Sequence, residues 1–519
     1  MSKANIEINP EFARAVDLMD NTDKCLFITG KAGTGKSTLL DHFCNNASKK
    51  PVVLAPTGVA ALNVGGQTIH SFFNFYVDVT PEKILKKKTK PRNVKLYQKL
   101  QTIIIDEISM VRADLLDCID IFLRLYGPEK RKPFGGVQMV FVGDLYQLPP
   151  VVSGNDGDIF NGHYETPYFF SAHIMSQLKL EVIELEKVYR QKDEKFVELL
   201  NRIRNNSVEL NDIEHLNSRF IKDEQPKEGE FYISLTTTNK KADEINDTHL
   251  RALDGFLHSA DAIVKGEFGK EYFPTATDLQ YKIGAQIMML NNDQKKRWVN
   301  GSIGVIEEVK KNEAGNEYIR VRLHDSDRLV SVEQHQWEVF KFSFDGAQIV
   351  SEPIGTFTQY PFRLAWAITI HKSQGKTFDK VIIDIGSGTF ASGQMYVALS
   401  RCTSFEGIIL KTQVKPHNIS TDFRIFKFLT SYQYKKAAEG LSHEDKISLI
   451  QQAINEKSKL NMVYLKANDT KSTRTIIPMK VGIEDYQGKK FPGMQAFCTN
   501  SNEERMFHVG RILKLEKVV

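Results

Sequence analysis

The nine residues GKAGTGKST, Gly30 to Thr38, follow the apolar run CLFIT and lead into STLLDHF, a helix-like stretch. Gly30, Gly35, Lys36 and Ser37 satisfy G-x-x-x-x-G-K-[ST]. A strand before the pattern and a helix after it are the context that makes it a phosphate-binding loop. The glycines let backbone N–H groups curl around phosphate oxygens, Lys36 reaches the β- and γ-phosphates, and the Ser37 hydroxyl ligates Mg²⁺. With Ala32, Gly33, Thr34 and Thr38, these residues form the expected nucleotide site. An ordinary glycine-rich turn is the alternative, opposed by the full pattern, its position and the acids downstream.

Around that loop the apolar runs CLFIT, PVVLAPT, TIIIDE and QMVFVGD alternate with helical stretches up to about residue 150. This is the pattern of a parallel sheet covered by helices, so the fold class is α/β. A second series starts at FYISLTTTN and returns with LAWAITIHKSQ and KVIIDIG, which predicts a second α/β unit split by an insertion. Within the insertion, turn residues separate SIGVIEEV, YIRVRL and RLVSVE, the pattern of a small β-barrel. After about residue 430 a helical segment precedes MVYLKA, TIIPMKVGIE and MQAFCT, a separate β-rich module. The expected division is 1–175, 176–285 with 356–429, 286–355, and 430–519.

The run IIIDEIS delivers Asp106 and Glu107 to a strand's carboxyl end, where open α/β sheets place ligands. Asp106 is expected to hold Mg²⁺ through water and Glu107 to polarise an attacking water, so hydrolysis is implied. A helix-capping pair is the alternative. A third strand ends in VFVGDLYQLPP, which sets Gly143, Asp144 and Gln147 beside the same edge, with Gln147 placed to contact the γ-phosphate.

At 519 residues, 41% hydrophobic and 26% charged, the chain can bury several cores. No stretch reaches the roughly 18 apolar residues of a membrane span, and MSKANIEINPEF lacks the layout of a secretion signal, so a cytoplasmic protein is expected. The five cysteines have no metal or redox spacing. A net charge of +5 permits a nucleic-acid partner without demanding one. The strongest basic run, ILKKKTKPR from 84 to 92, is either a solvated loop or a patch that faces DNA.

Taken together, GKAGTGKST, IIIDEIS, GDLYQLPP, ITIHKSQGKTF and MYVALSRC resemble superfamily 1 helicases. APTGVAALNVGGQTIHSFF and EISMVRADLLDCIDIFLR narrow the resemblance to the Pif family, related to RecD. It covers roughly residues 10 to 415. The resemblance implies two RecA-like domains with ATP between them, Mg²⁺ as cofactor, and 5′-to-3′ movement on single-stranded DNA with engagement of single-strand/duplex junctions; a monomer at the nucleoid is expected, and the C-terminal module described below points to a bacterial source. Arg190 in VYRQ and Arg401 in ALSRC match the family's arginine fingers, both assigned to the second domain; a surface ion pair is the other reading of a lone Arg. Gln374 and Gly375, with Thr377, match the segment that couples nucleotide to the DNA track. The same resemblance assigns strand contacts to Thr57, Thr68, His70, Ser71, Asn239, His371 and Lys372. Phe72, Phe73 and Phe75 either stack bases or belong to the core.

Phe12 stands where family members carry a Gln that reads adenine, which leaves the preference for ATP over GTP open. The C-terminal module resembles a WYL domain through Tyr464, Arg474, Pro478, Arg505, Phe507 and Arg511, although GMQAFC replaces the Trp-Tyr-Leu run. Arg505 and Arg511 are either a strand-binding pair or plain surface charge. A DNA-bound ATPase that clamps without travelling uses the same motifs and is the rival reading.

Overall fold

Two α/β lobes, an antiparallel insertion and a C-terminal module build the chain in this computed structural model. It describes residues 8–76, 78–87, 91, 93–152, 163–222, 231–313, 315, 317–345, 348–386, 388–466, 470–486 and 489–518. The basic run at 84–92 lies partly outside them.

In the first lobe six parallel strands lie in the order Gln67–Thr68, Val52–Ala55, Thr102–Ile105, Gln138–Val142, Cys25–Gly30, Leu180–Leu185. Four of them are buried almost throughout, because helices cover both faces of the sheet. One face packs on the helices Pro10–Asn21 and Lys36–Asn46 through Met19, Leu39, Leu40 and Phe43. The sheet runs beyond residue 175, since Leu180–Leu185 pairs along the whole of Cys25–Gly30. Arg190 therefore leaves the first lobe's own edge strand and does not come from the second lobe's sheet, a correction to the sequence reading.

Four parallel strands make the second lobe, in the order Ala367–Thr369, Ile233–Thr236, Val381–Asp384, Ile408–Leu410. The insertion between its first two strands in sequence is antiparallel. Its larger ladder runs Leu329–Val332, Glu317–Leu323, Ile303–Lys311, Gln286–Met289, Phe362–Leu364. A second ladder joins His335–Phe344, Ile349–Gln359 and Ile263–Gly266, and His258–Asp261 pairs with Asp278–Tyr281. Among the described residues no pairing closes these ladders into the single expected barrel. The long hairpin also contacts the first lobe: the Phe342 N–H donates to Gln67 Oε1 at 3.3 Å and its ring meets Phe72 edge-on at 6.0 Å.

Residues 201–207 and 421–519 form a separate compact unit. Asp422 and Ser442 cap its helices Phe423–Gly440 and His443–Glu456 by accepting from the N–H groups of Arg424 and Asp445. An antiparallel sheet follows in the order Glu503–His508, Lys489–Cys498, Lys471–Tyr486, Leu460–Leu465, Ile512–Lys517. Ile450, Ala453, Met462, Ile476 and Met494 fill its core. No helix among the described residues is long and apolar enough to cross a membrane.

Candidate functional site

The carboxyl ends of the first sheet's strands supply the nucleotide site. Gly33 and Gly35 have φ of +79° and +87°, which only glycine adopts without strain. At Gly30 the need is space: a Cβ would lie 2.6 Å from Thr34 Oγ1 and 2.7 Å from the Leu185 carbonyl. Thr34 locks the loop by donating to the Lys31 carbonyl at 2.9 Å. The Lys36 ammonium folds back onto the carbonyls of Gly30 and Lys31, at 2.8 and 3.1 Å. Ser37 and Thr38 lie in the first turn of the helix Lys36–Asn46.

Asp106 and Glu107 leave Thr102–Ile105 at the same edge. Glu107 is held in the left-handed region, at φ +50° and ψ +43°, a costly conformation for a non-glycine residue. Burial raises the pKa of both acids, that of Glu107 to about 7 with Asp106 adding to the effect; the Lys36 charge opposes both shifts. A hydroxyl at Ser37 and a carboxylate at Asp106 are hard oxygen donors, which fits Mg²⁺.

Second-lobe groups close over this edge. The Ala32 N–H donates to Tyr396 Oη at 3.0 Å. Gly393, at φ +74°, opens the helix Gln394–Leu399 so close to the GDLYQLPP turn that a Cβ would meet the carbonyls of Tyr146 and Gln147 at 2.3 and 2.5 Å. Gln374 Nε2 donates to Gln147 Oε1 at 3.4 Å, and Gln147 in turn donates to Asp144 at 3.3 Å. Gly375, at φ +75°, turns the chain beside Gln374.

Both arginines expected to act as fingers lie near this edge. Arg190 lies against the phosphate loop: the Tyr189 N–H donates to the Gly33 carbonyl at 2.9 Å, and a Cβ on Gly33 would sit 2.5 Å from Arg190 Cβ. Its guanidinium donates across to the Ser400 carbonyl at 3.1 Å. Arg401 is 1% exposed. It donates to the Val397 carbonyl and to Ser400 Oγ, both at 2.9 Å, and more weakly to the carbonyls of Ser373 and Lys376. Burial, then repulsion from Arg190, brings its pKa down to about 9. Two cations that disfavour each other beside a phosphate loop suit a ligand of high negative charge.

A cavity of about 840 Å³ opens between the lobes and the insertion, and Thr57, Glu107, His371, Lys372 and Gln374 line it. Thr57 also caps the helix Gly58–Asn63. The other expected strand contacts lie outside its lining. The Thr68 hydroxyl is within 3.0 Å of Tyr272 Oη and caps the short helix Ile69–Phe73, Ser71 Oγ accepts from Gln67, and burial lowers the pKa of His70. Asn239 is exposed at the start of Asn239–Ala252. Phe72 and Phe73 are core residues, 4% and 1% exposed, in an aromatic cluster with Tyr97 and Phe122. Phe12 is likewise core, 6% exposed and edge-on to His42. Sequence reasoning passed over Tyr396 and Lys376, although MYVALSRC and HKSQGKTF contained both.

In the C-terminal unit, Tyr464 and Phe507 meet edge-on at 5.3 Å, Arg474 lies over the Phe507 ring at 5.9 Å, and Tyr464 Oη accepts from the His508 N–H. Arg505 is exposed and ion-paired with Glu503, and Arg511 closes a short 3₁₀ turn.

Comparison with known proteins agrees with this geometry. Residues 8–214 match the family described as PIF1-like helicase, and residues 445–517 match the WYL domain. The chain is 32% identical over 441 residues to the ATP-dependent DNA helicase Pif1 of Bdellovibrio bacteriovorus, covering 82% of this chain and 93% of that protein. It is 34% identical over 429 residues to the mouse ATP-dependent DNA helicase PIF1, covering 81% of this chain but only 62% of the mouse protein. Two structures of Pif1 from Bacteroides sp., with ADP-AlF4 and with ssDNA, superpose with TM-scores of 0.75 and 0.60. Each is 36% identical and covers 83% of this chain and 98% of its own. The two-lobed phosphate-loop site thus sits in a chain that belongs to the Pif1-like helicase family and carries a WYL domain after its helicase region.

Proposed function

We propose that the chain is an ATP-dependent DNA helicase that tracks 5′ to 3′ on single-stranded DNA and separates duplex at junctions. The observation that carries this reading is the meeting of Tyr396, Arg190 and Arg401 at the edge of the phosphate loop. A loop whose Ala32 N–H is held by Tyr396 across the cleft, and whose Lys36 is held by the loop's own carbonyls, exchanges those partners for phosphate oxygens when nucleotide enters.

In this reading Lys36 leaves the Gly30 and Lys31 carbonyls for the β- and γ-phosphates, and loop N–H groups orient the chain of phosphates. Ser37, and Asp106 through water, would hold Mg²⁺, which would supply positive charge to offset that of the phosphates. Glu107 orients the water, Gln147 contacts the γ-phosphate, and Arg190 and Arg401 offset charge on the transferring phosphoryl group. The hydrogen bond from Gln374 to Gln147 supports coupling from that site to the strand cavity. There Thr57, His371 and Lys372 hold the strand without reading bases. One base step costs only about 1.4 kcal/mol to open, so one step per ATP is energetically modest. The lobes are taken as 1–175 and 176–285 with 356–429, apart from the edge strand Leu180–Leu185 and the following residues to Arg190, which go with the first. We further take the protein to act as a monomer in the bacterial cytoplasm at the nucleoid, with Arg505 and Arg511 as the WYL-like module's strand contacts.

A forked duplex tests the reading. A 5′ single-stranded tail is expected to support strand separation with ATP and Mg²⁺, and Lys36→Ala to abolish it. ATP hydrolysis on a fork that stays paired would favour the clamp instead, and opening that requires a 3′ tail would refute the direction.

A further inference from the structure

The strand cavity holds more positive charge than Lys372 alone supplies. Arg363, in the strand Phe362–Leu364, and Lys376 also line it. One Nη of Arg363 donates to the Pro274 carbonyl, and its Nε, sealed from water, has no hydrogen-bond partner among the described residues. The Lys376 ammonium donates to Asn300 Oδ1 at 2.6 Å. Asn300 is a neutral amide, so its oxygen is a weak answer to a buried charge. Burial, then the Arg363 charge, brings the pKa of Lys376 down to about 8, and burial lowers those of Arg363 and Lys372. Asp243 is the acid whose charge reaches Arg363 and Lys372. Glu107, Asp247 and Asp278 also line the cavity, but among the described residues none of them is hydrogen-bonded to the Lys376 ammonium or to the Arg363 Nε, which leaves a place for an anion at these two cations.

The anion that fits is a phosphodiester. A cavity of about 840 Å³ is far larger than a lone inorganic ion requires, and the nucleotide's phosphates belong to the loop at 30–38. Lys376 also has a second connection. Its carbonyl accepts from Arg401 Nη1 at 3.5 Å, so its backbone touches the guanidinium on the nucleotide side while its side chain lines the strand cavity. A movement of Arg401 onto a γ-phosphate reaches the strand through a single residue. Asn300 meanwhile accepts from Lys376 and donates to Asn63 Oδ1 of the first lobe at 3.3 Å.

We propose that Lys376, supported by Arg363, is a strand-phosphate contact of the cavity, and that Asn300 holds its ammonium only until a phosphate takes its place. This rests on the reading of the cavity as the DNA track.

The test is the affinity of the full chain for a single-stranded oligonucleotide across a salt series. Lys376→Met is expected to bind about ten- to a hundredfold more weakly at low salt. Its slope of log K against log[salt] is expected to be about 0.7 shallower, the signature of one lost phosphate contact on a single strand. Lys376→Arg restores both. Asn300→Ala keeps the wild-type slope, because the cation remains. The proposal is overturned if Lys376→Met matches wild type in affinity and slope, or if Asn300→Ala loses as much slope as Lys376→Met, which would make the pair a structural clasp. Failure of the wild-type chain to bind the oligonucleotide would instead refute the helicase reading itself.

Discussion

The Tyr396 phenol, in the second lobe, accepts a hydrogen bond from the Ala32 N–H of the phosphate loop at 3.0 Å. That N–H belongs to the phosphate loop, so in the proposed reading the tyrosine competes for it with an incoming phosphate while bridging the lobes. Tyr396→Phe removes the competitor. Nucleotide is expected to bind about two- to tenfold more tightly, the value of one net hydrogen bond. Calorimetric titration with ADP checks it; weaker binding would mean that Tyr396 instead helps hold the ligand.

Gly393 sets how closely the lobes approach. Its φ of +74°, with carbonyls 2.3 and 2.5 Å from where a Cβ would stand, leaves no room for a side chain. Gly393→Ala is expected to cost at least about 2 kcal/mol in urea unfolding, strain and overpacking combined. Gly255→Ala is the control. It has φ +95° but nothing within 4 Å, so it carries the strain alone and is expected to cost less.

Base choice follows from Phe12. Buried against His42 and the helix Lys36–Asn46, it offers no hydrogen bond to adenine. Sites without such a donor or acceptor discriminate weakly. The expected kcat/KM for ATP and GTP therefore lie within about tenfold of each other, as steady-state hydrolysis with each nucleotide will show.

Strand affinity should depend on pH through Lys376, which shares its cavity with Arg363, Lys372, His371, Glu107, Asp243, Asp247 and Asp278. Its pKa stands at about 8 without a strand. A phosphate partner raises it, so the stabilisation is complete below about pH 8 and is lost as pH rises through the bound-state value. Oligonucleotide affinity is expected to fall by about tenfold or less over that range, and Lys376→Arg is expected to flatten the fall.

Much of this was legible in the sequence because its chemistry is local. The loop at 30–38 and the acids at 106 and 107 sit in contiguous motifs whose strand and helix contexts can be read residue by residue. What could not be read depends on distant pairing. Leu180–Leu185 looks like the start of a second lobe, yet it closes the first sheet by pairing with Cys25–Gly30, and this moves Arg190 to the first lobe's edge. The insertion's turns were plain, but which ladders its strands would join depends on pairing between segments distant in sequence, such as Ile263–Gly266 with Ile349–Gln359. Thr68 belongs to a motif tied to DNA, whereas its hydroxyl is met by Tyr272, 204 residues away. Tyr396 and Lys376 lay inside quoted motifs and became visible only through partners in other elements.

The central claim is that a nucleotide between the lobes, its terminal charge met by Arg401 from the second lobe and Arg190 at the loop, drives the cycle. The most direct measurement is DNA-stimulated ATP turnover by Arg401→Ala, alone and with Arg190→Ala, alongside ATP binding. Turnover is expected to fall by about 10³-fold or more while ATP still binds, as for other arginine fingers. Undiminished turnover in the double variant would contradict the account.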